Sequence, residues 1–313
     1  MAERQIRIAP DWLPNTNHAG FYVALDKGWY REEGLAVEIL PFDGEAMPNR
    51  KLPASEAEFG LMPHQSIISM RRAGHDAVSV AALIQPNTTT LMVLEDSDIT
   101  HPAEMAGRRY ASYGTEYEVA MIQDAIRRDG GTGGPVLVPA EKLDILQALF
   151  SGDIDIAWGF HAWEGVLADL AGYRIRHFFI TEMGIPNEYF PLLFTLRAYI
   201  EREPEVVAAF VNATRRGYEE AARDPDAAAG ALLRHAPEDL LPQPAEELVR
   251  RSMEVLAPYL AKRAVSDGVQ RPWGWHDAHA WATFASYIQT LGGENAVLEG
   301  SEQTGFTNRF VEQ

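Results

Sequence analysis

A turn rich in polar and aromatic side chains, placed between a predicted strand and a predicted helix, constrains the fold of this chain most. The alternating residues 5–9 predict a strand before the turn, and an amphipathic helix ending at Gly34 leads to a second predicted strand at 35–40. In open α/β sheets, strand carboxyl ends and helix amino ends converge on the crevice where ligands bind. The sequence therefore predicts an α/β fold with a binding site at this turn. Its candidate side chains are Trp12, Asn15, Asn17 and His18.

Composition and charge exclude several classes of function. The 313 residues, 46% hydrophobic and 23% charged, suit a globular protein with two domains of ordinary size. The 45 acidic residues outnumber the 27 basic ones and give a net charge of −18, so we expect no nucleic-acid partner. No run approaches the ~18 apolar residues that cross a bilayer, so we expect no direct membrane insertion. Cysteine is absent, which excludes disulfides, thiolate metal sites and cysteine nucleophiles.

The first four residues lead directly into the first predicted strand, without the basic and apolar regions of a signal peptide. Two locations are therefore expected. The protein is periplasmic, or extracellular and lipid-anchored, if a leader has been removed, and it is cytoplasmic otherwise. The lack of cysteine is compatible with both compartments.

Two βα series separated by two breaks predict two lobes. The first series has predicted strands at 5–9, 35–40, 58–61 and 78–83, a loop at 42–54 and a helix at 65–72. The second has predicted strands at 109–112, 136–138, 154–158 and 175–180 and helices at 116–128, 143–150 and 161–171. The breaks lie at 85–90 and 184–190, and residues from 200 onward are predicted to be helical. We expect lobe 1 to comprise residues 1–87 and 190–313, with lobe 2, residues 88–189, inserted into it.

Two candidate groups belong to lobe 1. In the first turn, Asn17 is a good helix cap, but a cap needs neither Trp12 nor His18. Aromatic rings beside amide groups suit a flat heterocycle, so we interpret this turn as a ligand site. His64 lies between a predicted strand and a predicted helix, where a ligand contact and a structural role are both open.

Lobe 2 holds two further candidate groups. Tyr113, Gly114 and Glu116 lie at the start of a predicted helix. Thr115 and Glu118 can form a capping box there, or the glycine leaves backbone N–H groups open to an anion or a carbonyl oxygen. Trp158 and Trp163 are core residues or ligand contacts. Glu164 falls in the first turn of a predicted helix beside these two aromatic residues, where its carboxylate can accept hydrogen bonds from N–H groups of a ligand.

The remaining candidates lie near the second break and the carboxyl terminus. Tyr189 either closes over a ligand or serves as a hinge or core residue. His276 and His279 share one helix face, but no third ligand is evident, so we predict a solvated helix start rather than a metal site. We expect no catalytic residue, no metal and no cofactor.

Several motifs resemble a known family. They are the Asp-Trp-x-Pro-Asn-Thr-Asn-His-x-Gly opening from residue 11, the Lys-Gly-aromatic-x-x-Glu-Glu-Gly-Leu-x-Val helix exit from residue 27, Phe59-Gly60, Gly184-Ile185-Pro186, Trp273-Gly274 and Phe306-Thr307-Asn308. Over essentially the whole chain, the sequence resembles substrate-binding proteins of ABC importers for thiamine-pyrimidine precursors and the related yeast-type pyrimidine synthases.

The resemblance implies a two-lobed, type II periplasmic-binding-protein-like α/β fold with two crossovers. It implies a pyrimidine ligand such as formylaminopyrimidine, captured in a cleft between lobes that close by a hinge, and an ABC permease as partner. It also supports ligand contacts by the first turn and by Glu164.

Two alternatives remain. A cytoplasmic pyrimidine synthase explains the missing leader and His64, but the synthases carry a cofactor-binding lysine where this chain has Met62 and Pro63, and a cysteine-rich iron motif that this chain lacks. The other alternative is a binder of the same fold for another small heterocycle or a sulfonate, because the fold alone does not decide the ligand.

Overall fold

The computed structural model describes residues 3–42, 44, 47–112, 117–139, 144–291 and 305–312. The chain forms two compact units. Unit 1 comprises Met1–Pro86, Glu188–Ala285 and Leu298–Gln313, and unit 2 comprises Asn87–Asn187 and Ser286–Val297.

The described strands are β1 (Arg4–Ala9), β2 (Leu35–Ile39), β3 (Phe59–Met62), β4 (Ala77–Ala82), β5 (Thr89–Leu94), β6 (Arg109–Ser112), β7 (Val136–Pro139), β8 (Ala157–Phe160), β9 (Ile175–Phe179), β10 (Leu192–Leu196), β11 (Val265–Ser266) and β12 (Val269–Gln270). The described α-helices are α1 (Ala19–Asp26), α2 (Trp29–Glu32), α3 (Pro48–Lys51), α4 (His64–Arg72), α5 (Glu118–Arg128), α6 (Ile145–Phe150), α7 (Val166–Leu170), α8 (Arg197–Arg202), α9 (Pro204–Arg223), α10 (Pro225–His235), α11 (Ala245–Leu260) and α12 (Ala278–Leu291). Short 3₁₀ turns occur at Thr16–His18, Pro102–Met105 and Glu238–Leu240, and a π-helical turn at His161–Gly165.

Unit 1 is built on a five-stranded sheet in the order β2-β1-β3-β10-β4. Strand β1 pairs in parallel with β2 and β3, and β10 runs antiparallel to both β3 and β4. Strand β4 is buried along its whole length, as expected for a strand covered on both faces. The carboxyl ends of β1, β2, β3 and β4 therefore lie at one edge of the sheet, the edge where open α/β sheets bind ligands.

Helix α1 packs against α9 at unusually close range because two glycines meet there. A Cβ atom added to Gly217 would lie 2.0 Å from the carbonyl oxygen of Gly20, and one added to Gly20 would lie 2.2 Å from the ring of Tyr218. Phe210 of α9 stacks on Phe59 of β3 with ring centroids 4.1 Å apart. These contacts fix the start of α1, and with it the turn after β1, against the core of unit 1.

Unit 2 contains a three-stranded antiparallel sheet, β8-β5-β9, and a two-stranded parallel pair, β6-β7. Helix α6 and the strands β5 and β8 enclose an apolar core. Its buried side chains are Met92, Ala111, Leu146, Leu149, Ile154 and Ala157.

Four local predictions were wrong. The predicted loop at 42–54 contains α3, because Pro48 suits the first turn of a helix and the helix packs over Gly60. The predicted strand at 154–158 is shifted to β8, and the predicted helix at 161–171 starts as a π-helical turn before α7. The predicted helical region beyond residue 200 also contains the short hairpin β11-β12.

None of the helices that the structure describes is long and apolar enough to span a membrane.

We predict that Gly217→Ala lowers the melting temperature strongly, because the added methyl group collides with backbone that only a shift of α1 can relieve. Overpacking of this kind costs roughly 1–3 kcal/mol. The control is Gly230→Ala in α10, where the added Cβ meets only the end of the Arg234 side chain. Thermal denaturation should show a normal or raised melting temperature for the control, and equal effects of the two substitutions would contradict the close α1–α9 contact.

Candidate functional site

The turn after β1 is held rigidly by hydrogen bonds of its own residues. The Asn15 side-chain oxygen accepts from the Asn17 backbone N–H at 2.9 Å, and Asn15 Nδ2 donates to the Leu13 carbonyl at 2.9 Å. Asn15 thereby caps the 3₁₀ turn Thr16–His18. The Tyr218 hydroxyl donates to the Asn17 carbonyl at 2.6 Å. Asn15 and Asn17 are both buried, so the turn is part of the core of unit 1.

Two more side-chain pairs hold the same turn. His18 is buried, and its Nε2 lies 2.8 Å from a carboxylate oxygen of Asp11. The Thr16 and Ser252 hydroxyl groups lie 2.6 Å apart in the core. Most of the polar side chains of this turn thus hold its shape, and the His18 ring is engaged with Asp11.

Trp12 is the exception in this turn, because 38% of its surface remains exposed. Its ring contacts that of Phe42, with centroids 5.0 Å apart and planes inclined by 43°. The two residues follow the carboxyl ends of the adjacent parallel strands β1 and β2. Phe42 was not identified from the sequence, although an aromatic residue just beyond a strand end was a usable signal. The pair forms a partly exposed aromatic surface, of the kind on which a flat ring can stack.

His64 lies at the start of α4, at the carboxyl end of β3, and is fully buried. Its ring lies 3.6 Å from that of Trp281 and 5.0 Å from that of Phe284, measured between centroids. Neither ring nitrogen has a hydrogen-bond partner within the described ranges. Burial, aided by the nearby His276, lowers the pKa of His64 well below its ordinary value, so the ring is neutral. It offers one donor and one acceptor nitrogen.

Glu188 is a buried acid that the sequence analysis missed. Its carboxyl oxygen accepts from the Gln65 backbone N–H at 3.2 Å, in the first turn of α4. Burial raises the pKa of Glu188 to about 8, so most of the carboxyl group is protonated at neutral pH. The sequence offered one signal for Glu188, an acidic residue next to the second predicted break between the lobes. Its contact with the first turn of α4 is visible only in the structure.

Tyr189 and His276 are buried together in unit 1. The Tyr189 hydroxyl accepts from the Asp277 backbone N–H at 3.0 Å, and its ring packs edge-on to His276. The ligand role of Tyr189 stays a prediction. The prediction of a solvated helix start at His276 was wrong, because its Nε2 lies 2.8 Å from the Ser79 hydroxyl and its Nδ1 lies 3.1 Å from Asn308 Oδ1. Burial lowers the pKa of His276 to about 4.

In unit 2, Glu164 lies in the π-helical turn directly after β8. Its Oε2 accepts from the Phe160 backbone N–H at 2.8 Å. Gly159 makes this position possible, since a Cβ there would lie 3.0 Å from Glu164 Cβ. Burial raises the pKa of Glu164 to about 7, so the group exchanges a proton near neutral pH. A carboxyl group in this state either accepts from a ligand N–H or, when protonated, donates to a ring nitrogen.

The other predicted residues of unit 2 have different positions. Trp163 is buried, and Trp158 is half-buried on β8 opposite Leu91. Tyr113, Gly114 and Glu116 lie outside the described residues, so their role stays a prediction. Across the described ranges, no group of three or more histidine or acidic side chains is placed to hold a metal ion.

We predict that Glu188→Gln stabilises the protein more at pH 9 than at pH 5. The folded-state pKa of about 8 lies above the ordinary value of 4.5, so the contribution of Glu188 to stability is present at low pH and is lost as the pH rises through 8. Glutamine keeps the acceptor for Gln65 and cannot ionise. Thermal denaturation of both proteins at the two pH values measures this, and an equal difference at both would contradict it.

Comparison with known proteins identifies the family. The NMT1/THI5-like family matches residues 15–228. The formylaminopyrimidine-binding protein of Halalkalibacterium halodurans is 26% identical over 284 residues, covering 90% of this chain and 84% of that protein. The 4-amino-5-hydroxymethyl-2-methylpyrimidine phosphate synthase of Aspergillus parasiticus is 22% identical, covering 99% of this chain and 88% of the synthase.

A solved structure confirms the fold. The periplasmic aliphatic sulphonate binding protein SsuA from Escherichia coli superimposes with a TM-score of 0.68 at 16% identity, covering 98% of this chain and 97% of SsuA. The predicted type II periplasmic-binding-protein-like α/β fold is therefore confirmed. The family match spans more than half of the chain, and this protein belongs to the NMT1/THI5-like family.

Proposed function

We propose that this protein is the substrate-binding component of an ABC importer and that it captures a thiamine-pyrimidine precursor, such as formylaminopyrimidine, without converting it. One observation carries the proposal. At the ligand-binding edge of the unit 1 sheet, a rigid turn presents the exposed ring of Trp12 beside Phe42. The relative from Halalkalibacterium halodurans, named for binding formylaminopyrimidine, supports the same ligand class.

The chemistry of an aminopyrimidine fits the candidate groups. Its flat ring stacks on an aromatic surface, which the Trp12–Phe42 pair provides. Its edge alternates N–H donors and ring-nitrogen acceptors, and a carboxyl group with a pKa of about 7 pairs with either kind. Glu164 is the group in unit 2 to which we assign this edge.

The enzyme alternative is favoured by the similarity to the Aspergillus parasiticus synthase over almost the whole chain. It would require a lysine for a Schiff base. The chain has four lysines, and Met62 and Pro63 occupy the positions before His64 where the resemblance places the synthase lysine. We therefore propose a binding protein that needs no cofactor, located outside the cytoplasmic membrane and delivering its ligand to a permease.

Calorimetric titration tests the proposed function directly. The ligands are formylaminopyrimidine, riboflavin, an alkanesulfonate and pyridoxal phosphate, and we expect tight binding of the pyrimidine alone. Recovery of the unchanged pyrimidine after denaturation is expected, because the protein binds without turnover. Binding of pyridoxal phosphate alone, together with an imine absorbance band, would instead establish the enzyme.

We predict that Glu164→Gln weakens pyrimidine binding roughly ten- to a hundred-fold, and more than His64→Ala does. A hydrogen bond to a charged group is worth ~1.5–3 kcal/mol, which corresponds to this loss. We assign Glu164 the role of acceptor from a ligand N–H, a hydrogen bond that ionisation of the carboxyl group strengthens. Wild-type affinity should therefore rise with pH through about 7 relative to the variant, which has no titrating group there. Titrations between pH 6 and pH 8 measure both effects, and equal affinities would remove Glu164 from the site.

A further inference from the structure

Two buried polar side chains at the start of β5 lack partners within the described residues. Asn87 is 4% exposed and Thr88 is 1% exposed. Neither Asn87 Nδ2 nor the Thr88 hydroxyl forms a hydrogen bond in the described part of unit 2. The other groups of Asn87 are engaged, because its Oδ1 accepts from the Thr89 N–H at 2.7 Å and its backbone N–H donates to Asn187 Oδ1 at 2.9 Å. The amide is therefore held in place, while its NH₂ group has no acceptor among the residues that the structure describes.

These two residues are neighbours of Glu164 through the β5-β8 ladder. The Thr88 carbonyl accepts from the His161 backbone N–H at 3.2 Å, and Thr89 pairs with Phe160 in register. Glu164 binds the N–H of the same Phe160. Asn87, Thr88 and Glu164 therefore belong to the same end of this strand pair, linked by the backbone hydrogen bonds around Phe160 and His161.

A buried polar group without a hydrogen-bond partner lowers the stability of the folded protein, and such groups are rare in native structures. Valine has almost the same shape as threonine and would remove the cost at position 88. Two adjacent polar residues of this kind, next to an acid whose charge is already poorly solvated, indicate that a molecule from outside the chain completes their hydrogen bonds.

We propose that Asn87 and Thr88 form, with Glu164, a polar subsite of unit 2 for a neutral nitrogen heterocycle with an amidine or carboxamide edge. The Asn87 NH₂ donates to a ring nitrogen or carbonyl oxygen, and the Thr88 hydroxyl accepts from an exocyclic amine. Glu164 accepts from a further N–H. The inference rests on the proposed function and extends it, because it names which side chains recognise the edge of the ligand.

The test is Thr88→Val, with formylaminopyrimidine as the probe. We expect the melting temperature of the free variant to rise, because an unpaired buried hydroxyl is removed, while affinity for the probe falls about five- to tenfold. The matched control is Thr90→Val on the same strand. Thr90 is also buried, but its hydroxyl donates to the Leu91 carbonyl at 3.1 Å, so its loss should lower the melting temperature and leave the affinity unchanged.

A second variant keeps the test decisive. Asn87→Asp retains the Oδ1 acceptor for Thr89 and loses the NH₂ donor, so its affinity for the probe should also fall. Unchanged affinity in both Thr88→Val and Asn87→Asp would overturn the subsite and leave buried water as the partner of these groups. An equal loss of affinity in Thr90→Val would overturn it too, as general destabilisation. Failure of the wild-type protein to bind the probe would instead refute the proposed function.

Discussion

The rigid turn after β1 is the element on which the candidate site depends. Gly20 and Gly217 let α1 approach α9 closely enough for the Tyr218 hydroxyl to bind the Asn17 carbonyl. The Asn15 cap and the Asp11–His18 pair then hold the backbone that leads to Trp12. An exposed tryptophan on a fixed backbone loses little conformational freedom when a ligand binds, which favours affinity.

Buried polar groups in this protein fall into two classes with different consequences. Asn15 and His276 have their hydrogen bonds completed by the chain and stabilise the fold. His64 and Thr88 are buried without partners in the described residues, and Glu164 and Glu188 have strongly raised pKa values. These four groups reduce stability in the free protein, and His64, Thr88 and Glu164 lie close to the ends of β3, β5 and β8, respectively. Such a trade of stability for recognition is typical of binding sites.

Local sequence patterns predicted the fold class and most strands, because hydrophobic periodicity and helix-terminal residues are local properties. They also indicated Trp12, which follows a strand end, and Glu164, which falls in the first turn of a predicted helix beside two aromatic residues. Phe42, Glu188 and Asn87 were missed because their significance depends on neighbours distant in sequence. The burial of His276 against Ser79 and Asn308 depends on the same kind of contact, as does α3, which packs over Gly60. The ligand contacts of the individual residues remain predictions.

The most direct test of the account compares pyrimidine binding by Trp12→Ala and Trp29→Ala in calorimetric titrations. Trp29 lies in α2, before β2, where its ring contacts the Arg216 guanidinium at 4.5 Å, so it serves as a matched tryptophan away from the strand carboxyl ends. We expect Trp12→Ala to lose at least roughly tenfold in affinity for formylaminopyrimidine, or about 1.4 kcal/mol, while Trp29→Ala binds like the wild type. Wild-type affinity in Trp12→Ala would contradict the central claim that the rigid turn presents this ring to the ligand.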